Sequence, residues 1–315
     1  MLIRVQSVFN RWPVKAFYSD HFVLPLAEGH KFPMAKYSRL RERILAEGIV
    51  AADDLSEAPP ATVEELGLVH DAGYIDAVFN GRLPREIQRR IGFPWSPQMV
   101  ERSRRSVGAT IAAAITALDE GVSANLAGGT HHAFADRGEG FCVFNDVAVG
   151  CRVLQRDHHA RRIAIVDLDV HQGNGTASIF AADDSVFTFS MHGEKNFPFK
   201  KEHSDLDVAL PDGAGDDAYL DLLRRHLPDV LDRHQPDFVF YLAGADPYEG
   251  DRLGRLKMTI DGLRTRDEIV LTTCRTAGLP VALSMSGGYA HDIDSIVTIH
   301  ANTIRVARNL CSICV

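Results

Sequence analysis

The sequence predicts an α/β fold, a single domain over residues 1–315 with a mostly parallel central sheet covered by helices on both faces. Three observations predict it. Short apolar, β-branched or aromatic runs follow helical stretches in alternation. No repeat period, low-complexity tract or long Pro/Gly linker divides the chain. Polar, ionisable residues cluster immediately after each of four apolar runs.

Taken in order, the first third carries the arginine clusters RERILAEG, REIQRRIG and ERSRRS, in which acids or apolar residues separate the cations. They read as solvated helix faces. The run VGATIAAAITAL is too short to span a bilayer. IAIVDLDV and SVFTFSMH read as buried strands. The helical stretch DDAYLDLLRRHLPDVLDRH then leads into the strand DFVFYLAG, and TRDEIVLTTCRTAG leads into PVALSMSG.

Composition narrows the function. With 45% hydrophobic and 24% charged residues the chain can bury a sizeable core, and a net charge of −8 disfavours a general nucleic-acid binder. The opening residues MLIRVQSVFNRWPV contain no apolar stretch of the kind a secretory signal needs, so a cytoplasmic location is expected. Five cysteines are too few and too scattered for a disulfide framework. The terminal CSIC lies at the chain end, not at a helix start after a strand, where a redox pair belongs.

Ligands of open α/β sheets gather at the carboxyl ends of the strands. There the sequence places Asp-x-His-Gln-Gly-Asn-Gly, Ser-Met-His-Gly, Gly-Ala-Asp-Pro and Ser-Gly-Gly-Tyr. In RRIAIVDLDVHQGNG, strand alternation would put Asp167, Asp169 and His171 on one face and Leu168 and Val170 on the other. Two carboxylates and an imidazole on one dry face are costly unless a cation sits among them. Asp169 and His171 suit zinc, with Asp246 after DFVFYLAGA as third ligand and a fourth position open to a substrate. Zinc so held is the hydrolytic arrangement.

Water attack on a carbonyl also needs a base and a proton donor. In AGGTHHAFADRGEGFCVFND, His131 and His132 are adjacent, so serving one site requires a tight loop, which Gly128 and Gly129 permit. Asp167, one strand step inside the ligands, can orient an imidazole. Tyr289 follows two glycines at a strand end and can donate to a developing oxyanion.

Taken together, GGTHHAFADRGEGFCVFND, DLDVHQGNG, AGADPYEGDRLG and SGGY resemble the zinc-dependent histone deacetylase superfamily, whose fold is the arginase-like α/β sheet. GHKFPMAKYSRLRERI and VHDAGYIDAV resemble it as well, and several details look closest to its class IV group. The resemblance implies one zinc on Asp169, His171 and Asp246, an acid/base pair in His131 and His132, and Tyr289 as oxyanion donor. It further implies a narrow channel walled by Phe141 and Phe197, with Leu253 at its mouth or floor, the Gly140 carbonyl accepting from the scissile amide, and Gly288 beside it. It implies a structural potassium ion held by Asp167, Ser190 and the backbone carbonyls of Asp169, His171 and Met191. Where the best-known members orient the second histidine with an aspartate, this chain has Asn174, as other branches do.

The expected reaction is metal-dependent removal of an acetyl or longer acyl group from a lysine side chain. Three other readings remain at this level: a deacylase of small acylated amines such as acetylpolyamines, a dinuclear arginase-type hydrolase, and an inactive acyl-lysine reader. The second wants aspartates where Gln172, Gly173 and Asn174 stand, and the third would be expected to have lost one of the site residues, all of which remain.

Overall fold

The computed structural model describes residues 14–157 and 159–311, so the terminal C-x-x-C falls outside the described residues except for the Cys311 backbone. In chain order the elements are β1 (Lys15–Tyr18), α1 (Lys36–Ala46), a short 3-10 turn, β2 (Leu55–Glu57), α2 (Val63–Leu66), α3 (Ala72–Phe79), α4 (Arg85–Ile91), α5 (Pro97–Glu120), β3 (Val122–Asn125) and α6 (Asp146–Asp157). There follow β4 (Ile163–Asp167), α7 (Asn174–Phe180), β5 (Val186–Gly193), β6 (Leu206–Leu210), α8 (Asp216–His234), β7 (Phe238–Leu242), α9 (Ile260–Thr276), β8 (Val281–Ser284) and α10 (Ile293–Cys311).

The eight strands form one sheet in the order β2-β1-β3-β8-β7-β4-β5-β6, and every pairing is parallel. Side chains alternate across a strand, so each central strand feeds two cores. Ala164, Val166, Val239, Tyr241 and Leu283 pack with α1, α8, α9 and α10 on one face. Ile163, Ile165, Phe238, Phe240 and Ala282 pack with α5, α6 and α7 on the other. That is why these strands read as unbroken apolar runs.

Local chemistry starts the long helices where it should. Ser96 accepts from the Met99 N–H ahead of Pro97 in the first turn of α5, and Thr259 does the same for Gly262 at α9. No helix among the described residues is long and apolar enough to cross a membrane. Two expectations need adjustment. The fourth strand stops at Asp167, so Asp169 and His171 lie in the loop just after it, but the alternation carries on: Leu168 and Val170 pack in the core with Ala164 and Val166, and Asp169 and His171 face the site. The cluster ERSRRS is not wholly solvated: Arg102 is buried, its guanidinium 4.6 Å from the Tyr37 ring centroid. The α5 face carrying it is covered by the chain around α1, which helical spacing alone does not reveal.

Candidate metal centre and active site

Strands β3, β8, β7 and β4 are consecutive in the sheet although far apart in sequence, and their carboxyl ends deliver the candidate ligands, the imidazole pair and Tyr289, while Phe197 comes from the loop after β5. After β3, Gly128 and Gly129 adopt φ of +85° and +66°, which turns the chain tightly enough to set the rings of His131 and His132 4.1 Å apart. Buried Asp146 holds that loop. Its Oδ1 accepts from the Thr130 N–H and Oγ, and its Oδ2 from the Gly129 N–H, Thr110 Oγ and Ser284 Oγ. A fully desolvated carboxylate costs several kcal/mol when unpaired, on the order that five donors can offset.

After β4, His171 Nδ1 lies 2.9 Å from Oδ1 of Asp169 and 3.2 Å from Oδ2 of Asp246, which arrives from the loop after β7. Ligand atoms of these three buried residues lie within 4.8 Å of one another. Oδ2 of Asp246 is buried and has no hydrogen-bond partner, whereas its Oδ1 accepts from the Val170 N–H. Burial and the neighbouring Asp169 push the Asp246 carboxyl up to about 6. Burial pulls the His171 imidazole down, but its hydrogen bond to Asp169 and the nearby Asp246 carboxylate prevail and hold it at about 10. Two desolvated carboxylates with one orphaned oxygen carry more negative charge than the protein around them answers. One imidazole nitrogen and two carboxylate oxygens are the donor set of a divalent metal, and the site fits one.

The imidazole pair is asymmetric. Nδ1 of His131 lies 2.6 Å from Oδ2 of Asp167, and that of His132 lies 2.7 Å from Oδ1 of Asn174. Burial opposes charge on His131, but Asp167 and Asp169 outweigh it and hold the ring at about 9. Burial, with His131 and His171 beside it, holds His132 well below the ordinary histidine value. After β8, Tyr289 packs 6.4 Å from the His171 ring, and burial with the Asp169 and Asp246 carboxylates keeps its phenol protonated. Asp251 fixes it by accepting from the Tyr289 N–H, and Arg252 Nε donates to its carbonyl.

These groups meet at a cleft of about 450 Å³ lined by His132, Gly140, Phe141, His171, Phe197, Leu253 and Tyr289, with Arg90, Glu139, Lys195, Phe199 and Arg255 around them. The Phe197 ring lies 4.9 Å from that of His132. Gly140 has φ +56°, and a Cβ there would meet His132 Cδ2 at 2.6 Å, so only glycine lets the backbone pass this close. Gly288 departs from expectation. A side chain there would point at Ile296 and Ala245, away from the cleft, and its carbonyl accepts instead from Lys36 Nζ. Ser190 is the register partner of Asp167, but its hydroxyl bonds His192 Nδ1 at 3.0 Å, and Met191 packs in the core.

Several supporting residues had no separate reading in the sequence. Ser286 donates to Asp169 Oδ2 at 2.6 Å. Buried Lys36 donates to the carbonyl of Gly287, the residue before Gly288 and Tyr289. Arg266, wholly buried, pairs with Asp267 and donates to the carbonyls of Gly244 and Leu168 beneath the ligand loops. A serine, a lysine or an arginine in a helical stretch carries no spacing signal for such work. Asp146 and Asp251 lie inside stretches whose neighbours did signal.

The histone deacetylase domain profile matches residues 30–304. A histone deacetylase-like amidohydrolase of Pseudomonas aeruginosa is 30% identical over 84% of this chain and 74% of its own length, and histone deacetylase 2 of Arabidopsis thaliana is 31% identical over 82% and 70%. An uncharacterised protein of Picosynechococcus sp. is 48% identical over 93% of this chain and 98% of its own. The crystal structure of an HDAC homolog from Aquifex aeolicus superposes with a TM-score of 0.82 at 26% identity, covering 95% of this chain and 84% of the other. An HDAC homolog complexed with SAHA gives 0.81 over the same shares. With the sheet order, the buried Asp-His-Asp cluster and these matches together, the chain belongs to the histone deacetylase family.

Proposed function

We propose that the protein is a zinc-dependent amidohydrolase that removes an acyl group from lysine side chains. One observation carries the reading: His171 of a buried Asp-His-Asp cluster, His132 and the Tyr289 phenol line a single cleft, with the His131 ring 4.1 Å from that of His132 behind it. Phe141, Phe197 and Leu253 give that cleft apolar walls suited to a methylene stem with a polar end. Zinc on Asp169, His171 and Asp246 would supply Lewis acidity and a water acidified toward neutral pH.

The remaining roles belong to the chain. His132, donating from Nδ1 to Asn174, leaves Nε2 free to accept a proton from water. His131, kept charged by Asp167, returns a proton to the departing amine. Tyr289 donates its O–H to the carbonyl oxygen as that atom gains charge. The Gly140 carbonyl accepts the scissile N–H. A potassium ion at Asp167 and Ser190, with the carbonyls of Asp169, His171 and Met191, would offset the charge of the inner carboxylate.

At the rim Arg90 pairs with Glu86 and Glu139, and Arg255 pairs with Asp212, so rim charge does not separate a peptide from a polyamine and the assay does. The test is release of acetate and of long-chain acids from acyl-lysine peptides, with acetylated polyamines in parallel, with and without chelator, using Asp169→Ala as control. Chelator-sensitive release from peptides is expected. Release from polyamines alone would move the function to small amines. No release at all would leave an acyl-lysine reader. About one zinc per chain is expected, and two manganese ions would point to the arginase-type reaction.

A further inference from the structure

The Asn174 amide that orients His132 makes a second contact. Its Nδ2 lies 3.1 Å from Oε1 of Glu139, and the other carboxylate oxygen lies 3.7 Å from Nη1 of Arg90 at the rim. Glu139 is firmly placed, its side chain only 15% exposed. Its backbone pairs with Cys142 in both directions, and the next two residues donate to the carbonyls of Arg90 and Ile91 at the end of α4. Four groups therefore run in line from the rim to the proposed base: Arg90, Glu139, Asn174, His132.

The chemistry of those contacts is directional. An ionised carboxylate only accepts, whereas a carboxamide accepts at one end and donates at the other. Glu139 thus selects the amide orientation, NH2 toward itself and carbonyl toward His132. An amide carbonyl also only accepts, so His132 must carry its proton on Nδ1 and keep the Nε2 lone pair. With the amide reversed, Nδ1 would accept, the proton would sit on Nε2, and the ring could take nothing from water. An aspartate at position 174 would impose the useful tautomer unaided. The asparagine found there is indifferent to the choice, and something else must make it.

We propose that Glu139 is a positioning residue that sets the tautomer of His132 through Asn174. The proposal rests on the deacylase reading for the value of a free Nε2, but the tautomer can be measured without turnover. The experiment uses zinc-loaded protein with 15N-labelled histidine, His132 being assigned from the signal missing in His132→Ala. Imidazole 15N shifts are read for the parent, Glu139→Ala, Glu139→Gln, Asn174→Asp and the Glu139→Ala/Asn174→Asp double variant, and kcat and KM are measured on an acyl-lysine peptide.

The parent is expected in the Nδ1–H form. Glu139→Ala should populate the Nε2–H form and lower kcat about 10- to 100-fold with KM little changed, the range seen when an outer partner of a working histidine is removed. In the Asn174→Asp background the same change should cost nothing further, because a carboxylate needs no orienting. Glu139→Gln, nearly isosteric, should fall between parent and alanine, since its own oxygen can still accept from Asn174. An unaltered Nδ1–H signal in both Glu139 variants would overturn the proposal, as would an equal loss of kcat in the Asn174→Asp background. Absence of turnover in every form would count against the deacylase reading alone and leave the tautomer result standing.

Discussion

Oδ2 of Asp167 lies 2.6 Å from Nδ1 of His131, at the last residue of a central strand, so the inner imidazole leans on a buried charge. Replacing that charge while keeping the shape should discharge His131. Asp167→Asn is expected to lower kcat about 10- to 100-fold with little change in KM. Steady-state kinetics check it, and an unchanged kcat would remove His131 from the role of proton donor.

Tyr289 offers a protonated phenol beside the candidate ligands. Loss of one preorganised oxyanion donor raises a barrier by about 2 to 4 kcal/mol, so Tyr289→Phe should lower kcat roughly 30- to 1000-fold. Binding of a substrate-like inhibitor, measured by calorimetry, should weaken far less than turnover. Full activity in this variant would refute the role.

His132 is held neutral at pH 7 by burial and by the imidazoles of His131 and His171. If it is the base, the acidic limb of kcat/KM in the parent reports its protonation and should vanish or move in His132→Ala. A variant whose residual activity keeps the parent's acidic limb would show that another group titrates there.

The unanswered negative charge at Asp169 and Asp246 predicts a thermal signature. A metal that binds only the folded chain stabilises it by mass action, so a chelator should lower the Tm of the parent. Asp246→Asn removes a charge and a ligand. Its Tm should be indifferent to the chelator, and zinc per chain by elemental analysis should fall well below one. A chelator shift that survives the substitution would place the metal elsewhere.

His70 predicts a pH dependence of stability separate from the site. Its Nδ1–H donates to the Phe134 carbonyl and its Nε2 accepts from the Asn145 N–H, tying the turn before α3 to the segment that follows the histidine pair. Burial pushes this imidazole down from its ordinary 6.5 to about 4. The folded form therefore resists protonation, and its contribution is intact above pH 6.5 and is lost as pH falls toward 4. At about 1.4 kcal/mol per pH unit this window amounts to roughly 3 kcal/mol. Urea unfolding at pH 7 and pH 4.5 should show His70→Gln less stable than the parent at pH 7 and less sensitive to the drop. Equal losses in both would discount His70.

Much of the fold was legible because central parallel strands, buried on both faces, announce themselves as apolar runs. Of the eight strands, β4, β5, β7 and β8 had that signature. The edge strands β2 and β6, β1 beside an edge, and the interior β3 did not: LSE, LDVAL, KAFY and VSAN are short or polar, and only pairing makes them strands. Asp169 and His171 were found by an alternation that outlasts the regular strand, since Leu168 and Val170 still pack in the core opposite them. The strand ends two residues before the first, and bonds from Ser286 to Asp169 and between Asp169 and His171 hold the pair in place.

By itself the sequence determined which donors the site holds, because the chemistry of Asp, His and Tyr after buried strands is local and is written in consecutive residues. Only the tertiary structure decided that the ends of β3, β8, β7 and β4 lie side by side, that Gly288 faces α10, and that Glu139 reaches Asn174. Sheet order and loop contacts join residues distant in the chain, and no local periodicity encodes which strand will become whose neighbour.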